Sequence, residues 1–154
     1  MKRKLLILST LILGISCSKD SVQDDHRFTG SWMAYFGLKS SSTSAHRFDF
    51  KADGTYKEAS LELDSETLEV LGYWTYATGT YSAIDNRLTL NRKEFYVAED
   101  LSEYQQQEDL IKKEENISYG FNYEFQSGSR FTLYPECPEN SSCLGAVEYE
   151  KLDE

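Results

Sequence analysis

The sequence predicts an all-β fold: an antiparallel barrel or sandwich of about eight to ten short strands, with one short helical insertion. Three observations carry that expectation. Apolar and polar residues alternate with period two over much of the chain after Ser31, the mark of half-buried strands. The chain holds 11 Tyr, 8 Phe and 2 Trp, residue types that favour strands over helices. Turn chemistry separates the alternating runs at Asp53-Gly54, Asp85-Asn86 and Ser127-Gly128-Ser129.

The first element is not part of that fold. Lys2, Arg3 and Lys4 precede an apolar stretch from Leu5 to Ile15, and Ser16-Cys17 follows before the chain turns polar at Ser18-Lys19-Asp20. A charged start, a short apolar core and a small residue before the cut describe a secretory signal peptide. The stretch is about half of the ~20 residues a spanning helix needs, which argues against retention as a transmembrane segment. With Cys17 at the cut, residues 1–16 resemble a bacterial lipoprotein signal, although Gly14 stands where such signals usually carry Leu. That resemblance implies cleavage before Cys17, a lipid thioether on its sulfur, and an outer-membrane anchor on the periplasmic or cell-surface face. An ordinary secretory signal would instead leave Cys17 as an odd thiol in an oxidising compartment.

Residues 17–28 read as the lipidated tether. Ser18 to Arg27 has one aliphatic residue, Val22, and no periodicity. A coil of this length spans roughly 17 Å. Ser18-Lys19-Asp20 partly resembles the acidic export signal of surface lipoproteins, and a solvated linker explains it equally well.

The barrel domain is expected over 29–154. His46, Phe48 and Phe50 share a face opposite Arg47, Asp49 and Lys51. Asp53-Gly54 then turns the chain, because Gly accepts positive φ. Leu68, Val70, Gly72, Trp74 and Tyr76 are expected to line one face of a long strand, and the strand of Leu88 and Leu90 follows the Asp85-Asn86 turn. Tyr119, Phe121, Tyr123 and Phe125 share a face opposite Gly120, Asn122, Glu124 and Gln126. Phe131 and Leu133 follow the next turn, and a last strand is expected near Ala146 to Leu152.

Glu99 to Glu115 departs from the alternation. It carries seven acids and two lysines. Asp100 and Glu103 have capping-box spacing, and Glu108/Lys112 and Asp109/Lys113 are i,i+4 pairs. The pattern predicts a short surface helix, either a lid over a cavity or a solvated insertion.

Cys137 and Cys143 enclose five residues. In an exported protein they read as a disulfide stapling a turn, contributing about 2.4 kcal/mol by chain entropy. With only His26 and His46 in the chain, a four-ligand zinc site has too few donors, and no metal or other cofactor is expected.

The whole chain carries a formal charge of −10. Loss of residues 1–16 removes three of its 16 basic residues and none of its 26 acidic ones, leaving 138 residues at −13. That length suits one domain with a single core. Such a surface repels nucleic acid and favours a cationic partner if it meets a protein.

Three local patterns in order are similar to bacterial lipocalin-like lipoprotein domains. They are Gly30-Ser31-Trp32 at the first strand, Phe48 to Tyr56 as strand-turn-strand, and Gly79 to Ser82 followed by Asp85 to Leu90. The resemblance covers residues 30–90 and implies a small up-and-down barrel of about eight strands, open at one end. Trp32 would then plug the closed end. The insertion at 99–115 departs from the family's compact pattern.

Two functional readings follow. In the first, the barrel is a binding module for a small apolar ligand, with Trp74, Tyr76, Phe121 and Tyr123 as candidate lining residues. In the second, it is a ligand-free interaction or inhibitor (immunity-type) lipoprotein that presents acidic loops to a cationic protein. A cavity of several hundred Å³ would favour the first and a filled interior the second. No catalytic residues are assigned. A triad would have to use His46, whose neighbours Phe48 and Phe50 mark it as a core or rim residue.

Overall fold

Successive antiparallel hairpins carry the chain up and down around a closed ring. The structure is a computed structural model, and it describes residues 25–38, 42–136 and 145–153. The strands are β1 (Gly30–Leu38), β2 (Ser42–Phe50), β3 (Thr55–Asp64), β4 (Val70–Ile84), β5 (Arg87–Val97), β6 (Ile111–Lys113), β7 (Ser118–Ser127), β8 (Arg130–Pro135) and β9 (Val147–Lys151). Each strand from β1 to β5 pairs with the next, β5 pairs with β7, and β7, β8 and β9 follow in order. β9 closes the ring on β1 through Trp32↔Lys151 and Met33↔Glu150. β6 lies outside the eight-stranded ring, on the far end of β5. The expected up-and-down, eight-stranded barrel is what the chain forms.

The turns between strands at one end are those the sequence marks. Gly54 has φ +79°, and Asp85 and Asn86 have φ +50° and +62°, the left-handed pair that a two-residue hairpin requires. This end of the barrel is also plugged. A single 3₁₀ turn, His26–Phe28, places the fully buried Phe28 ring edge-on to Phe50, Tyr123, Phe125 and Phe131. Trp32 Nε1 donates to the Phe28 carbonyl at 2.6 Å, and the Lys151 ammonium lies 5.3 Å from the Trp32 ring. Trp32 therefore closes the barrel as expected. Asp25 to Phe28, placed in the tether on sequence, belong instead to the fold. Asp25 caps the turn through the Arg27 N–H and accepts from the Tyr123 hydroxyl at 3.0 Å. Composition hid this, because a single apolar residue is enough to make a plug.

Inward residues of both halves build the core. Phe48, Phe50, Tyr56, Leu88, Leu90, Phe131 and Leu133 are each no more than 2 % exposed. Each large apolar side chain so buried contributes about 1.5–3 kcal/mol. A second cluster lies on the opposite face of β1–β3, with Met33, Ala45, Ala59, Leu61 and Leu63 against Tyr73, Tyr76 and Leu152.

Two expectations fail here. The first is the helix in 99–115. The segment instead makes turns, a bridge from Gln105 to Tyr73, a 3₁₀ turn at Gln107–Asp109, and strand β6. Asp100 accepts from the Ser102 N–H at 2.8 Å in a local turn, not as a helix cap. Leu101, Tyr104 and Ile111, which a helix would align in one apolar stripe, are all exposed, while Leu110 is buried. β6 pairs with β5 and Lys112 reaches across to Glu94 at 2.7 Å, so pairing to β4 and β5 takes the place of local i,i+4 pairing. The second is the single face from Leu68 to Tyr76. Leu68 sits in a turn at φ +58°, and register shifts on the β3–β4 ladder between Ser60/Leu61 and Glu62/Leu63 break the parity.

Cys17, Cys137 and Cys143 lie outside the described residues, as do residues 1–16, expected as a signal, and 17–24, expected as a tether. Among the described residues, no helix is long and apolar enough to cross a membrane.

Candidate functional site

The end away from the plug is not filled. A cavity of about 230 Å³ opens there, walled by Phe36, Phe48, Phe121, Leu133, Pro135 and Val147. Its polar groups are few and lie on two sides: Glu58, Arg92 and Tyr119 on one, His46 and Tyr149 on the other. The volume falls just below the roughly 300–1,000 Å³ of sites for drug-sized molecules, and suits a single-ring ligand.

The polar side is assembled from β3, β5 and β7. Glu58 follows Tyr56 in phase on β3, and Arg92 follows Leu88 and Leu90 in phase on β5, so both point into the barrel. Between them β4 contributes Ala77 and Gly79, opposite Glu58 and Arg92 in the two ladders. A Cβ on Gly79 would meet the Asn91 carbonyl at 2.2 Å and the Tyr56 ring at 2.7 Å, so this crowded position requires glycine. Arg92 Nε donates to Glu58 Oε1 at 3.0 Å, and Nη2 donates to the same oxygen and to the Tyr119 hydroxyl at 3.2 Å. Tyr119 in turn donates to Glu58 Oε2 at 2.7 Å. Arg92 Nη1 turns outward to Glu115 at 3.2 Å. The guanidinium also lies 4.5 Å from the Phe95 ring centroid and 5.1 Å from that of Tyr119.

Burial opposes the charge on Arg92, yet Glu58 and Tyr119 hold its pKa above the ordinary value. The Tyr119 phenol is pushed up, first by burial and then by the Glu58 charge. Tyr56, beside the same carboxylate, rises to about 12 for the same two reasons, and its buried hydroxyl has no partner in hydrogen-bond geometry. Across the cavity, His46 Nδ1 meets the Tyr149 hydroxyl at 3.1 Å, with the imidazole edge-on to Phe48. Burial lowers the His46 pKa, so the ring is neutral at pH 7.

No protein-family model matches the chain, and no curated protein matches it. Its functional reading therefore rests on its own residues.

Of the four aromatics expected to line a ligand site, only Phe121 borders this cavity. Tyr123 shares the inward face but lies in the plugged end against Phe28. Tyr76 is on the outer face, tilted against Tyr96. Trp74 donates to Glu62 Oε2 at 3.2 Å and meets Tyr104 edge-on, in a separate hollow lined by Ser42 and Glu103. Glu58 and Arg92 were missed, although a signal existed: each is a charge in phase with buried apolar neighbours on its strand. His46, read as a core or rim histidine, is a wall of the cavity. Among the described residues, no group of three His, Cys, Asp or Glu could hold a metal ion.

Proposed function

We propose that this chain is a membrane-anchored extracytoplasmic lipoprotein whose lipocalin-like barrel binds a small, largely apolar molecule in its open half. The observation that carries the binding reading is the division of the interior. One end is sealed by Phe28 and Trp32 and packed with aromatics, while the other keeps a cavity with a buried ion pair on its wall. Apolar residues of similar volume often replace a buried ion pair at no loss of stability. A barrel selected only for packing has no need of Glu58 and Arg92 at this position. The anchoring reading is supported by Lys2-Arg3-Lys4, the apolar run from Leu5 and the Ser16-Cys17 junction.

The test is native mass spectrometry of the full chain purified from its own host. A bound mass of single-ring size, lost from a Phe121→Trp variant that fills the cavity, is the expected result. An unliganded wild-type protein that also fails to take up any small aromatic probe would end the binding reading.

A further inference from the structure

We propose that the cavity selects a compact apolar amine, bound as its ammonium against Glu58, and rejects carboxylates. This rests on the binding reading above and deepens it by naming the ligand's charge. A buried arginine and tyrosine in a barrel suggest at first an anion site. The hydrogen bonds argue the reverse. Every nitrogen of the Arg92 guanidinium is engaged: Nε by Glu58, Nη2 by Glu58 and Tyr119, and Nη1 by Glu115. One cation serves two carboxylates, Glu58 on the wall and Glu115 outside it, so the cluster as a whole carries an excess negative charge. An incoming carboxylate would meet Glu58, with four of the five guanidinium N–H groups bonded and the fifth on Nη1, which turns outward to Glu115.

An ammonium balances that charge instead. Glu58 Oε2 receives the Tyr119 hydroxyl, and a carboxylate oxygen can accept a further donor. Glu58 is 5 % exposed, so its attraction for a cation is little weakened by water. Phe48, Phe121, Tyr119 and Tyr149 surround the space, and ring faces stabilise a desolvated cation. The neutral His46 adds no opposing charge. The net acidity of the chain draws cations toward the mouth.

Three probes of nearly one shape separate the possibilities: phenethylamine, phenethyl alcohol and hydrocinnamate, titrated calorimetrically into the full-length protein at neutral pH. The amine is expected to bind about tenfold or more tightly than the alcohol, with hydrocinnamate weakest. Glu115→Gln removes the excess charge from outside the cavity and leaves Glu58 paired. It should cut the preference for amine over alcohol by about threefold while leaving alcohol affinity unchanged. Hydrocinnamate binding best, or alcohol matching amine, would overturn the amine assignment while leaving the binding reading intact. Failure of all three to bind would overturn both.

Discussion

Glu58 and Arg92 meet inside the barrel across an intervening strand, with Arg92 Nε 3.0 Å from Glu58 Oε1 over the small residues Ala77 and Gly79 of β4. The pair ties β3 to β5 and forms one wall of the cavity. Removing Arg92 leaves Glu58 charged and buried with only the Tyr119 hydroxyl to meet it, whereas removing Glu58 leaves Arg92 paired with Glu115. Arg92→Met should therefore cost about 3–5 kcal/mol in a denaturant melt, and Glu58→Leu less. The double variant should recover most of the loss, since two apolar side chains strand no charge. Additive losses in the double variant would show that the two residues do not act as a pair.

The 3₁₀ turn before β1 makes a second test. Phe28 is fully buried among four aromatic rings, so Phe28→Ala should cost about 3–5 kcal/mol. Trp32→Phe keeps a ring in place but removes the 2.6 Å hydrogen bond to the Phe28 carbonyl, an effect of about 1 kcal/mol plus the smaller ring's lost contacts. A chain in which Phe28→Ala melts like wild type would return residues 25–28 to the tether.

How much of this was legible varies with how local the signal is. Strands β2 and β7 read directly, because His46-Phe48-Phe50 and Tyr119-Phe121-Tyr123-Phe125 alternate without interruption against a polar face. The turns at Gly54 and Asp85-Asn86 read equally well, because positive φ restricts the residue types that fit. β4 did not, because the register shifts between Thr75 and Tyr73 and between Gly72 and Val70 are defined only by pairing with β3. The 99–115 segment misled for the same reason: its helix-like charge spacing is local, whereas the partners it finds, Tyr73 and Glu94, belong to other strands. The cavity depends on which inward side chains stop short of one another, and no pattern along one strand records that.

His46 should make stability fall in mild acid. Its folded pKa is depressed below the ordinary 6.5, chiefly by burial, with Arg92 adding to the effect and Glu58 opposing it. At pH above 6.5 the ring is neutral in both folded and unfolded states. As pH falls below that value the unfolded chain takes up a proton that the folded chain refuses, so stability declines by up to about 1.4 kcal/mol per pH unit until the folded pKa is reached. His46→Phe, which keeps an aromatic against Phe48, should flatten this part of the stability profile. Equal slopes in variant and wild type between pH 6.5 and 5 would exclude His46 as the source.

Anchoring has a direct test at Cys17. A thioether-linked lipid there predicts that the wild-type protein takes up a fatty-acid analogue in growing cells and sediments with membranes. Cys17→Ser should lose the label and appear in the soluble fraction. Label retained in the serine variant, or wild-type protein that is soluble and unlabelled, would refute the lipid anchor.

β7 offers the sharpest separation of packed from cavity-lining residues, because both kinds share its inward face. Tyr123 is 6 % exposed and packs against Phe28 in the plugged end, so Tyr123→Ala should cost about 3–5 kcal/mol, including the lost hydrogen bond to Asp25. Phe121, two residues along the same face, borders the open cavity. Its truncation enlarges an existing void and removes fewer contacts, so Phe121→Ala should cost less, about 2 kcal/mol. Asn122 and Glu124 point to solvent, and alanine at either should stay within about 0.5 kcal/mol. Denaturant melts of the four variants check both contrasts at once. Equal costs at 121 and 123 would mean that the open half is packed as tightly as the plugged half, and the cavity would have no place in the folded protein.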